Sequence, residues 1–275
     1  PLEDAHPELA EALAEDPAEA WPQAPVLLLG LPGSGVERIA ALLADQPQVR
    51  MLRDRTSPAR DDDFNHPRFA YYCGELDEAA REDMRLRYLA GLDTVSESVD
   101  QAADASTAGS STPDASSAGA PAHDDDRIVI DWLPRWDAHL LALIRRAMPG
   151  TRLVIVQSDP RAALLNWLAF GWVPGFPVAD IDAAVEWWLR AQRHLEHGAD
   201  LDEPRRIHVD ADRVIAEPIL ASADLASFLG IAPLQPETEF ARSAHSFGGL
   251  PTRFEAGHWQ RYTDALDSAF ARLAT

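Results

Sequence analysis

One short stretch limits the architecture of this chain more than any other: Val26-Leu27-Leu28-Leu29 ends at Gly30, Leu31-Pro32-Gly33-Ser34-Gly35 follows, and Ile39, Leu42 and Leu43 then recur at helical spacing. An uninterrupted apolar run bounded by glycine suits a strand buried on both faces of a parallel sheet. The glycine turn and helix complete a strand-turn-helix unit. Similar units follow. Val49 to Leu52, Ile128-Val129-Ile130, Leu153-Val154-Ile155-Val156 and Ile207-His208-Val209 read as strands. Between them lie helical patterns from about Arg135 to Ala147, from Pro160, and from Ile181 to His197. Strands alternating with helices require right-handed crossovers, so the expected fold is α/β, a P-loop-like three-layer sandwich with a central parallel β-sheet flanked by helices. A helix ending near Leu229-Gly230 and a final helix from about His258 to Leu273 complete the pattern.

The 275 residues, 46% of them hydrophobic, suffice for one large core, so one main domain is expected over 25–275. Residues 1–24 read as an acidic helical and linker extension. From Ser96 to Asp126 the composition falls to Ser, Ala, Gly, Thr, Asp and Pro, which has too little apolar surface to offset ordering entropy, so 96–126 is expected to be a disordered insertion. The formal net charge of −21 arises from 45 acids against 24 basic residues, all arginine. That field repels polyanions and argues against nucleic acid. No run approaches the length needed to cross a bilayer, and the lone Cys73 has no partner for a disulfide or zinc site, so a cytoplasmic protein without a metal centre is expected. His194 and His197 lie one turn apart near a helix end, where they more readily favour the helix terminus than bind metal.

A strand, glycine turn and helix N-terminus bring backbone N–H groups and the positive helix end to one point, which attracts anions. An ordinary strand-to-helix turn has the same shape. Against G-x-x-x-x-G-K-[ST], Gly30 and Gly35 fall in place, but Val36 stands for Lys and Glu37 for Ser or Thr, which argues against nucleotide triphosphate hydrolysis. Ser34 fails as a hydrolase nucleophile because Pro32 and Val36 occupy the outer glycine positions of that elbow.

Five segments in order resemble a known family. Pro25 to Arg38 looks like the 5′-phosphosulfate loop of sulfotransferases that use 3′-phosphoadenosine 5′-phosphosulfate (PAPS), in particular the bacterial kind often fused to tetratricopeptide repeats. Asp131-Trp132-Leu133-Pro134 resembles that family's D-K-x-P, and Met148 to Arg161 its P-x-A-R-I-I-x-x-R-R-D-P-R-D segment. Ile215 to Pro218 with Phe228-Leu229-Gly230, and Gly257-His258-Trp259-Gln260-Arg261-Tyr262, resemble the remaining two landmarks.

The resemblance implies a donor site formed by Pro32, Gly33, Ser34, Gly35, Val36, Glu37, Ser158, Arg161, Asn166, Gly257, His258 and Trp259, with Asp54 as the base that deprotonates an acceptor hydroxyl. It also exposes departures. Gly33 replaces a basic residue, Val36 and Glu37 replace two Thr, Ser158 replaces an Arg, Asn166 a Ser, Trp132 a Lys and His258 an Arg. Arg161 survives, and Arg53 and Arg55 are available as replacements. The leading expectation is a degenerate domain with weak or no PAPS binding and an interaction or regulatory role toward a protein partner. The alternatives are active sulfuryl transfer to a hydroxyl-bearing acceptor, and reuse of the glycine turn for a less anionic ligand. Trp167, Phe170 and Trp172 are candidates for an apolar acceptor pocket, although core packing is the favoured reading, and Trp187 and Trp188 read as packing of a buried helix.

Overall fold

The computed structural model of the chain describes residues 24–53, 127–133, 147–170, 179–198, 205–234, 246–247, 250–251 and 253–273, with isolated helical positions between 79 and 86 and at 141, 144 and 145. Asp54, Arg55, Cys73, Trp172, residues 1–23 and the 96–126 segment lie outside those described.

Strands β1 (Val26–Gly30), β2 (Val49–Arg53), β3 (Ile128–Trp132), β4 (Arg152–Gln157) and β5 (Arg206–Asp210) form one sheet. Its order is β2-β3-β1-β4-β5, and every pairing is parallel. The side-chain alternation of β1 and β4 explains the layering. Leu27, Leu29, Leu153 and Ile155 point to a core closed by α2 (Pro160–Ala169), α3 (Ile181–Gly198) and α7 (Thr263–Leu273). Val26, Leu28, Val154 and Val156 point to the opposite core, closed by α1 (Val36–Ala44), α4 (Ala211–Ala216) and α6 (Ala223–Leu229). All five residues of β1 are buried, as a two-sided apolar run requires.

The chain leaves β1 toward α1 on one face and leaves β4 toward α2 on the other. Neighbouring parallel strands whose connections diverge in this way open a crevice at their carboxyl ends, where ligands bind in doubly wound sheets. The glycine turn lies at that edge.

Three local features depart from the sequence reading. The last helix is split: a 3-10 turn, His258–Tyr262, precedes α7. Gly257 enters this turn at φ 77°, the Trp259 ring packs edge-on against Phe270 at 5.8 Å, and the Thr263 hydroxyl donates to the Gln260 carbonyl at 3.1 Å. A small antiparallel hairpin pairs β6 (Ser246–Phe247) with β7 (Leu250–Pro251). On the chain between β5 and Gly230, α5 (Pro218–Ala221) stands apart from α4, because Pro218 has no N–H to continue the ladder.

Candidate anion-binding site

The glycine turn is shaped by its own backbone. Ser34 N–H donates to the Leu31 carbonyl at 3.0 Å, and Gly33 and Gly35 adopt φ 82° and 88°, a region that favours glycine. Gly35 is the N-cap of α1, and its carbonyl accepts from Arg38 N–H at 2.9 Å and Ile39 N–H at 3.2 Å. The first-turn N–H groups of a helix have no acceptor within it, which is what makes this end attractive to anions. Val36 and Glu37 begin α1, and both are buried.

A cleft of about 750 Å³ opens over this turn, lined among others by Ser34, Val156, Gln157, Ser158, Gln192 and Glu196. The Ser34 and Ser158 hydroxyls are shielded from solvent and lack a hydrogen-bond partner in the chain. The lining is polar at the strand ends and mixed along α3.

The fold draws three distant segments together around the turn. Asn166, within α2, donates from Nδ2 to the Gly33 carbonyl at 3.3 Å and accepts at Oδ1 from Phe254 N–H at 2.6 Å. Its side chain therefore joins the glycine turn to the chain just before Gly257. Gly33 sits beside α2: a Cβ at position 33 would lie 2.8 Å from the Ala163 carbonyl oxygen and 3.0 Å from Trp167 N. His258 stacks on Phe254 with ring centroids 4.1 Å apart and an interplanar angle of 16°, and Tyr262 lies beyond it with its hydroxyl 3.4 Å from Nε2. Trp167 meets Trp188 edge-on at 5.4 Å in the core, so it is core packing rather than pocket lining. Trp187, by contrast, is 38% exposed and is not part of the buried face.

Arg161, the basic residue carried over from the family pattern, is committed within the chain. Its Nε and Nη2 donate to the two Asp159 oxygens at 2.9 and 2.6 Å, and its guanidinium lies 3.6 Å over the Trp259 ring. Asp159 is also the N-cap of α2, accepting from Arg161 N–H at 2.9 Å. Burial pushes the Asp159 carboxyl up, but hydrogen bonds from the Arg161 side chain and backbone, together with its charge, outweigh that and hold the carboxyl below its ordinary value. The same hydrogen bond raises Arg161.

Loss of this acid has a defined pH signature. A carboxyl depressed on folding contributes fully above its unfolded value, near ~3.9, and that contribution disappears as pH falls through the lower folded value. Asp159→Ala is expected to cost about 1–2 kcal/mol at neutral pH, from the lost cap and charged hydrogen bonds. The gap between variant and parent should narrow below the ordinary carboxylate range, as urea unfolding at pH 7 and then stepwise to pH 3 will show.

Two residues that sequence reasoning missed sit at the same spot. Arg253 is buried, its Nη2 pairs with the Asp212 carboxylate, and its Nη1 lies 2.5 Å from where a Gly35 Cβ would stand. The only signal in the chain was a lone Arg four residues before Gly257, in a segment whose place beside Gly35 is purely tertiary. Arg38 is buried nearby in α1. Burial lowers its pKa, Glu37 and Asp45 act in the opposite direction, and the like charge of Arg253 lowers it further. Asp54 follows β2 directly in the chain but lies outside the described residues, so the structure does not relate it to this cleft.

The five-stranded parallel sheet, its flanking helices and the glycine turn at the switch point define the P-loop-like fold of sulfotransferases. Among solved structures, the sulfotransferase domain from the curacin biosynthetic pathway superposes with a TM-score of 0.50 at 11% identity, over 90% of this chain and 99% of that one. The sulfotransferase domain of the Synechococcus PCC 7002 olefin synthase gives 0.48 at 17% identity, over 85% and 81% of the two chains. Mouse sulfotransferase SULT7A1, complexed with PAP, gives 0.48 at 12% identity, over 96% and 89%. The sequence matches no known family profile and no curated protein. At such identities the likeness establishes the fold alone. Among the described residues no helix is long and apolar enough to cross a membrane.

Proposed function

We propose that this chain is a sulfotransferase-fold domain in which PAPS binding is weak or lost, and that it serves as a non-catalytic interaction or regulatory module for a protein partner. One observation carries the reading: Arg161, at the donor-site position, and Arg253, beside Gly35, are each matched by an acid of the chain, the Arg193 that lines the cleft shares that lining with Glu186 and Glu196, and the helix start carries the buried carboxylate of Glu37. Hydrogen bonds from charged donors to phosphate contribute about 1.5–3 kcal/mol each. Without several of them, affinity falls by orders of magnitude, at roughly 1.4 kcal/mol per factor of ten. Asn166 and His258, at two further donor-contact positions, are engaged with Gly33, Phe254 and Tyr262.

Isothermal titration with adenosine 3′,5′-bisphosphate tests this directly. The expected result is no saturation in the low-micromolar range. Saturation there, with a stoichiometry near one, would falsify the reading. The competing reading, active sulfuryl transfer with Asp54 as base, draws support from the unpartnered Ser34 and Ser158 hydroxyls at the cleft. It requires labelled sulfate to reach a hydroxyl acceptor and to stop doing so in Asp54→Ala.

A further inference from the structure

Asp212 stands in the first turn of α4, directly after β5, at the sheet edge that carries the glycine turn. The preceding residue, Ala211, is pressed against that turn: its Cβ lies 2.9 Å from where a Gly35 Cβ would be. Arg253 reaches the same point from the C-terminal segment, with a side chain only 1% exposed. Its Nη2 donates to Asp212 Oδ1, while Nη1, beside Gly35, and Nε are buried without an acceptor. The other Asp212 oxygen faces Asp159 N–H at 3.4 Å.

A buried guanidinium with two unused donors, set against the N-terminus of a nine-residue helix, is a strong attractor for a negative group. Here a carboxylate of the chain already supplies one negative charge to it. We propose that Asp212 determines the charge that the Gly35 end of the glycine turn accepts: it acts as an internal counter-anion to Arg253 and excludes multiply charged phosphate ligands from the turn. The inference rests on the proposed weak donor binding and assigns part of that weakness to a residue outside the glycine turn. Glu37 and Asp45 act on Arg38 within α1, whereas Asp212 is the carboxylate that pairs directly with Arg253.

Asp212→Asn keeps the shape and one acceptor oxygen while removing the charge, and Asp212→Ser provides a smaller neutral replacement should the amide fail to fold. Adenosine 3′,5′-bisphosphate and inorganic pyrophosphate are titrated at fixed low ionic strength into the parent chain, both variants and Asp212→Asn/Arg253→Gln, with melting temperatures as a check on folding. Removing a negative charge within hydrogen-bonding reach of the cation should tighten binding of both probes at least about tenfold, and the gain should vanish in the double variant. If Asp212 only positions Arg253, the neutral variants will bind equally or more weakly, which overturns the assignment. A gain that survives Arg253→Gln overturns it too. The two hypotheses separate cleanly: tight binding by the parent chain refutes the proposed function, whereas the Asp212 assignment depends only on the change between parent and variant.

Discussion

Gly33→Ala is expected to lower stability by roughly 2–4 kcal/mol, the sum of a left-handed backbone imposed on a residue with a side chain and a forced contact with α2. The added carbon would meet backbone atoms, the Ala163 carbonyl oxygen at 2.8 Å and Trp167 N at 3.0 Å, and backbone cannot rotate away as a flexible side-chain end can. The helix must shift, and with it the Asn166 hydrogen bond to the Gly33 carbonyl. A chain of this size loses roughly 2–4 °C in melting temperature per kcal/mol, so the effect will be plain in thermal or urea unfolding. Stability within about 0.5 kcal/mol of the parent would show that α2 does not press on the turn. The same geometry bears on function. A basic side chain at position 33 would begin with this clashing carbon, so in the packing observed Gly33→Arg cannot restore a phosphate contact without moving α2.

Trp167→Ala should cost more, about 3–5 kcal/mol, because it leaves a cavity where a whole indole is enclosed. Trp167 is 2% exposed and meets Trp188 edge-on, joining α2 to α3 above the sheet. Trp187, one residue from that partner but 38% exposed, is the internal control. Its replacement by Ala should fall near the small changes typical of surface sites, within about 0.5 kcal/mol. Chemical denaturation of the two variants side by side checks both. Similar losses for both would mean that α3 does not present the face described here.

These contrasts separate what a one-dimensional reading reaches from what it does not. β1, the glycine turn and α1 were legible because their signal is local: four consecutive apolar residues, two glycines at fixed offsets and a helical period follow within twenty residues. The parallel order followed from alternation of strands and helices. Trp187 and Trp188 were not separable, because neighbouring residues on a helix differ in burial only once the helix is docked. Arg161 read as a surviving donor-site residue, since nothing in its spacing says that Asp159, two residues earlier, closes on it with both oxygens. Arg253 and Asp212 are 41 positions apart, and their meeting depends on how the segment before the 3-10 turn returns to the sheet edge. The hairpin at β6 and β7 did carry a cue, the Gly248-Gly249 pair, which reads as a tight turn once strands are sought on either side.

The placement of β1 has a mechanical consequence. Its odd and even residues anchor opposite layers, and it is hydrogen-bonded on both edges, to β3 and to β4. Neither layer can therefore detach without stripping the central strand of half its contacts, which ties the two halves into one cooperative unit. The stiffness of the glycine turn is inherited from that strand, so the polypeptide holds the cradle's shape by itself, with or without an occupant.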